Sequence, residues 1–151
     1  MLAPQVGKPV SMVLFDLDNK AAVPVTVRSV SLPDAHGMAM TEAWLVPLNP
    51  NGPQMGMGAE WPPTRPIWAS QWAAREPAVG GVIRPGQVLQ LAFGVLRTTA
   101  DNGSSDQPMI VYTAGRAAYT LREQGSLAVA ATKCILFGSP APVSSSRPRI
   151  A

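Results

Sequence analysis

Apolar and polar residues alternate along much of this chain with the period of two that a half-buried β-strand imposes. In residues 10–17, Ser11, Val13, Phe15 and Leu17 share one parity. In residues 23–32, Val23, Val25 and Val27 share a face, but Val30 and Leu32 fall in the opposite parity. A bulge near Arg28-Ser29 is predicted, because one extra residue returns both sets to the same side. Pro24 argues for an edge position or for the start of a strand. Residues 38–48 carry Met40, Trp44, Val46 and Leu48 in register, and residues 88–95 carry Leu89, Leu91, Phe93 and Val95. Shorter strands are predicted at 109–113, 117–122 and 127–137, the first two joined by a hairpin tip at Ala114-Gly115-Arg116.

Turn signals separate these runs. They lie at Asp18-Asn19-Lys20, at 33–37, at Arg84-Pro85-Gly86 and at Gly125-Ser126, and residues 98–107 read as a polar loop. No βαβ unit or internal repeat is visible. The pattern predicts an all-β fold, a single antiparallel β-sandwich. Its core should contain Phe15, Val25, Val27, Leu91, Phe93, Val111 and Val129. Residues 1–6 form an N-terminal extension, 7–137 the sandwich, and 138–151 a Ser/Pro-rich tail expected to be disordered.

One segment breaks the alternation. Residues 49–81 hold six prolines and three tryptophans, Trp61, Trp68 and Trp72. Pro66 suits the first position of a short helix reaching Arg75, in which Trp68 and Trp72 stack at i,i+4.

Composition narrows the class further. The chain has 151 residues, 46% of them hydrophobic, with a mean hydropathy of +0.11. That size allows about 68–70% of the unfolded surface to be buried, and disorder of the low-hydropathy kind is excluded. Charged residues are 14%, against about a quarter in ordinary domains. The net charge of +3 is spread out, and Arg147-Pro148-Arg149 is its densest point. No Lys/Arg stripe suits a phosphate backbone, so a nucleic-acid partner is not expected. Cys134 is the single cysteine, so no disulfide forms within the chain. The first residues lack the basic and apolar regions of a signal peptide, and no apolar run is long enough to span a bilayer. Membrane association is therefore expected only through an anchor that this sequence does not contain.

Several phrases carry a resemblance. Leu17-Asp18-Asn19, with the later run from Pro24 through Val25-Thr26-Val27-Arg28-Ser29-Val30, is similar to the two opening strands of immunoglobulin-like extracytoplasmic domains. Ile83-Arg84-Pro85-Gly86 before an alternating strand is similar too. So is the hairpin from Val111-Tyr112-Thr113-Ala114-Gly115 into Tyr119-Thr120-Leu121. The composition resembles secreted or membrane-tethered proteins of high-GC actinobacteria. The resemblance implies an immunoglobulin-like sandwich placed outside the cytoplasm. The chain departs from antibody domains in having no cysteine pair.

Two groups of side chains stand out chemically. His36, Met38 and Met40, echoed by Met55 and Met57, offer the imidazole and thioether ligands that favour Cu(I). The competing reading makes Met38 and Met40 the start of a core-facing strand and Met55 and Met57 loop filling. The tryptophans of the long loop are the second group. Trp is enriched in binding hot spots, and long irregular loops in compact domains tend to carry function. The competing reading makes them a satellite core at one end of the sandwich.

The carboxylates Asp16 with Asp18, and Asp101 with Asp106, lack the spacing of a calcium loop and suit turns. A nucleophile is poorly supported. His36 is the only histidine, no Gly-x-Ser-x-Gly elbow occurs, and Cys134 reads as a small buried hydrophobe. The sequence thus predicts no enzyme and no cofactor. It predicts a non-catalytic extracytoplasmic interaction module, an accessory subunit or binding domain of a larger assembly. Trp61, Trp68 and Trp72 should meet a protein partner or a second copy. The alternative is a copper carrier using the His/Met group.

Overall fold

The computed structural model describes residues 5–122, 125–131 and 149–150. The fold is an all-β sandwich. One sheet has the order β11-β1-β6-β3-β4, built from β1 (Val10–Asn19), β3 (Met38–Pro47), β4 (Glu76–Pro77), β6 (Val88–Arg97) and β11 (Arg149–Ile150). The facing sheet has the order β5-β2-β8-β9, from β2 (Val25–Ser31), β5 (Val82–Ile83), β8 (Met109–Ala114) and β9 (Ala117–Arg122). A two-stranded ribbon, β7 (Gly103–Asp106) with β10 (Ser126–Val129), closes one side. Its Leu127 and Val129 join the core. The order β1-β6-β3 against β2-β8-β9 is that of strands B-E-D against C-F-G in an immunoglobulin-type sandwich.

The core between the sheets takes Val10, Met12, Phe15 and Leu17 from β1 and Val25 and Val27 from β2. β6 supplies Leu89, Leu91, Phe93 and Val95, and β8 supplies Ile110 and Tyr112. Phe15, Val25, Val27, Leu91, Phe93 and Val129 are core residues as the sequence predicts. Val111 is not: it is half-buried on the opposite parity from Ile110 and Tyr112, pairing with Ser29. Met109-Ile110-Val111 is apolar on both parities, so alternation could not choose its inner face.

Three bulges set which side chains point inward. The one predicted in β2 is present, where the register shifts between Val27 and Ser29. As a result Val30 and Leu32 pack on the same core as Val25 and Val27. A second lies in β1 between Val13 and Phe15. It corrects the single face expected for Ser11, Val13, Phe15 and Leu17, because Val13 joins an apolar cluster on the outer side of the sheet. The third lies in β3, where Thr41 and Glu42 oppose the single Gly94 of β6. Past it, Ala43 and Leu45 face the inner core and Trp44 and Val46 face out.

β7 was expected to be loop. Gly103-Ser104-Ser105-Asp106 has no apolar alternation to announce a strand, and only pairing with β10 makes it one. At the far end of β1, Asn19 was expected in a turn but is a fully buried strand residue. Its Nδ2 donates to the carbonyls of Val23 and Ile83, and its Oδ1 accepts from the Ala21 amide. That network pins the β1–β2 connection to β5. The terminal segment expected to be disordered, and the strand expected beyond residue 131, lie outside the described residues apart from Arg149–Ile150, which runs parallel beside Asp18 and Asn19.

Candidate functional site: the tryptophan insertion

The insertion after β3 crosses the outer face of the β1-β6-β3 sheet. Met55 is buried against that face with Val13, Val46 and Ala92. The chain then reaches the edge of β1, where Ser11 and Gly58 exchange backbone hydrogen bonds of 3.0 and 3.1 Å. The Ser11 hydroxyl donates to the Glu60 carbonyl. From there the chain doubles back through Trp61, which joins Pro62 by a cis peptide bond. A 3-10 turn, Pro66–Trp68, runs into the short helix α1, Ala69–Ala73, with proline in the first turn as the sequence predicts. β4 then pairs with the edge of β3.

The three tryptophans occupy different positions. Trp68 is buried, at 5% exposure, and anchors the insertion on the outer face. Trp61 and Trp72 are half-buried. The expected Trp68–Trp72 stack does not form. Trp72 instead meets Trp61 edge-on at 5.2 Å and Trp44 edge-on at 6.1 Å. The guanidinium of Arg75 lies 4.5 Å from the Trp72 ring centre and 4.7 Å from that of Trp44, and its Nη1 donates to the Trp72 carbonyl at 2.8 Å. A cation lying over two neighbouring indoles ties the helix end to β3.

The β3 bulge explains the seat of Trp61. Two residues opposite Gly94 push the strand outward and place Glu42 beside the indole, whose Nε1 donates to Glu42 Oε1 at 2.9 Å. In the sequence Trp44 and Arg75 read only as a strand-face residue and a helix end, and Glu42 and Gly94 stand out in no motif. The available signal was a glycine inside an otherwise apolar strand, which marks close approach of another group.

On the solvent side the insertion shows large apolar side chains among exposed polar ones such as Glu60, Thr64 and Arg65. Met57 is 64% exposed and Ile67 54%. Pro66 is exposed as well. A cleft of about 440 Å³ opens here, lined by Met57, Glu60, Pro63, Arg65 and Trp68. Arg65 stands 5.1 Å over the Trp68 ring.

The His/Met group is dispersed. Met38 lies in the core between the sheets, and Met40 packs on that core. Met55 lies on the opposite side of the same sheet, and Met57 is in solvent. His36 is exposed, with its backbone bridged to Ser104. Among the described residues no group of three His, Cys, Asp or Glu side chains is close enough to hold a metal ion. Asp18 is paired with Lys20 at 2.7 Å. Cys134 lies outside the described residues. Among the described residues no helix is long and apolar enough to cross a membrane, which leaves β-barrel spans unaddressed.

Comparison with family models, with curated proteins and with solved structures finds no match. The functional reading therefore rests on the geometry.

Proposed function

We propose that this chain is a non-catalytic interaction module of an extracytoplasmic assembly, which meets a partner chain through the outer surface of the tryptophan insertion. The observation that supports this most is the pairing of a rigid base with an apolar surface. Trp68, Met55 and the contact of Arg75 with the Trp44 and Trp72 rings fix the insertion to the sheet, while Met57 and Ile67 of the same insertion stand in solvent. Exposed apolar residues grouped on an ordered loop mark contact sites, and a pre-ordered loop loses less entropy on docking. Placement outside the cytoplasm rests on the resemblance of the strand sequences to extracytoplasmic immunoglobulin-like domains.

The test is photo-crosslinking in cells that naturally make the protein. A benzophenone residue at Ile67 or Met57 should capture one defined chain, and the same residue at exposed Arg28, on β2 of the facing sheet, should not. Ile67→Ser and Met57→Ser should weaken association with that chain without lowering the melting temperature, since both side chains are open to solvent. Equal capture from all three positions, or none from the insertion, refutes the reading.

A further inference from the structure

The sheet β5-β2-β8-β9 ends on a strand that nothing covers among the described residues. β9 is six residues long and exposed along all but Leu121, and it contains no proline or lysine. Natural proteins blunt such edges with short length, charge, proline or a bulge. Among the described residues the other ends of the two larger sheets obey that rule: β4, β5 and β11 are two residues each. We propose that β9 pairs antiparallel with β9 of a second copy, joining two four-stranded sheets into one of eight strands.

The hairpin geometry sets the phase of this pairing. β8 and β9 are joined by the two-residue turn Gly115-Arg116, with Ala114 opposite Ala117 and Gly115 at φ +60°. In such a turn the closing pair exchanges hydrogen bonds, and the bonded pairs then alternate. Ala117, Tyr119 and Leu121 therefore aim their backbone groups at β8. Ala118, Thr120 and Arg122 aim theirs at the open edge. A second β9 must match outward groups to outward groups, and the two registers with the greatest overlap place a two-fold axis beside Tyr119 or Thr120.

Charge separates the two registers. An axis at Tyr119 sets Arg116 against Arg122 of the other copy, a like-charge pair that opposes association. An axis at Thr120 sets Arg122 against Ala118, and Thr120 against itself. It also brings Tyr119 of each copy beside Leu121 of the other on the inner face. Tyr119 is 42% exposed although it stacks on Tyr112 at 5.4 Å, so its free side is available to that contact. This register makes three bonded pairs across the axis. The small area predicts a weak, concentration-dependent dimer.

Hydrogen exchange and sedimentation test this directly on the full chain. Raising the protein concentration should produce dimers and slow the exchange of the Ala118, Thr120 and Arg122 amides. Tyr119 and Leu121 should be protected at every concentration, because their amides bond to β8. Thr120→Pro removes an outward amide and no bond to β8, so it should abolish the dimer with the monomer fold retained. Thr120→Lys places two ammonium groups face to face on the exposed side and should do the same without backbone change. Ile67→Ser should leave the dimer intact, which separates this contact from the insertion surface. A chain that stays monomeric, dimers that survive both Thr120 variants, or outward amides that never slow overturn the proposal.

Discussion

Trp61 lies directly on Gly94. A Cβ built on that glycine would stand 2.9 Å from two ring carbons of the indole, closer than real Cβ contacts come. The same glycine is opposed by Ser11 on one side and by the Thr41-Glu42 bulge on the other. Trp61 and the sheet are therefore closely fitted at this residue, and a methyl group there would displace the indole.

Gly94→Ala should cost about 1–3 kcal/mol, the usual range for overpacking a fitted site. The indole of Trp61 should shift off the strand and lose its bond to Glu42. Chemical denaturation measures the first effect, and tryptophan fluorescence of the folded state reports the second. A variant with wild-type stability and an unchanged emission spectrum contradicts the contact.

Truncating the two clusters should have graded consequences. Phe93→Ala removes a fully buried ring between the sheets and should cost about 3–5 kcal/mol. Trp68→Ala should fall in the same range, because Trp68 holds the insertion down. Val111→Ala should cost well under Phe93→Ala, since Val111 is only half-buried on the outer face. Urea midpoints of the three variants test the order.

Asn19 offers a polar counterpart. Its side chain satisfies the carbonyls of Val23 and Ile83 and the amide of Ala21 inside the fold. Asn19→Leu keeps the volume and removes all three partners. Orphaned buried groups cost about 1–3 kcal/mol each, so this conservative-looking change should destabilise the protein more than any exposed substitution. Thermal unfolding of Asn19→Leu beside Lys20→Ala makes the comparison.

Tyr112 supplies a pH prediction. Burial raises the pKa of its phenol, and the neighbouring Tyr119 raises it further. The folded state therefore holds the proton more tightly than the unfolded chain does. That contribution to stability is whole below the ordinary tyrosine value of about 10 and is lost as pH rises through the folded value. Ultraviolet titration should show one late-ionising tyrosine, and Tyr119→Phe should bring it down.

Alternation alone identified the all-β class, most of the core and the β2 bulge. Period two is a local property, and Val25, Val27, Val30 and Leu32 record it directly. Pro66 announced the short helix for an equally local reason, its preset φ. What alternation missed was set by partners distant in sequence. The bulges of β1 and β3 exist because Leu14 has no counterpart on β6 while Thr41 and Glu42 share one, Gly94, and those two shifts decided that Val13, Trp44 and Val46 face outward. Gly103–Asp106 became a strand only through pairing with β10. The tryptophans could be read as a group, but not as one buried anchor and two half-buried rings, because the surface they cover is assembled from β1, β3 and β6. Spacing suggested a common role for His36 and the four methionines named with it. A sheet has two faces, and the fold put Met38 and Met55 on opposite ones.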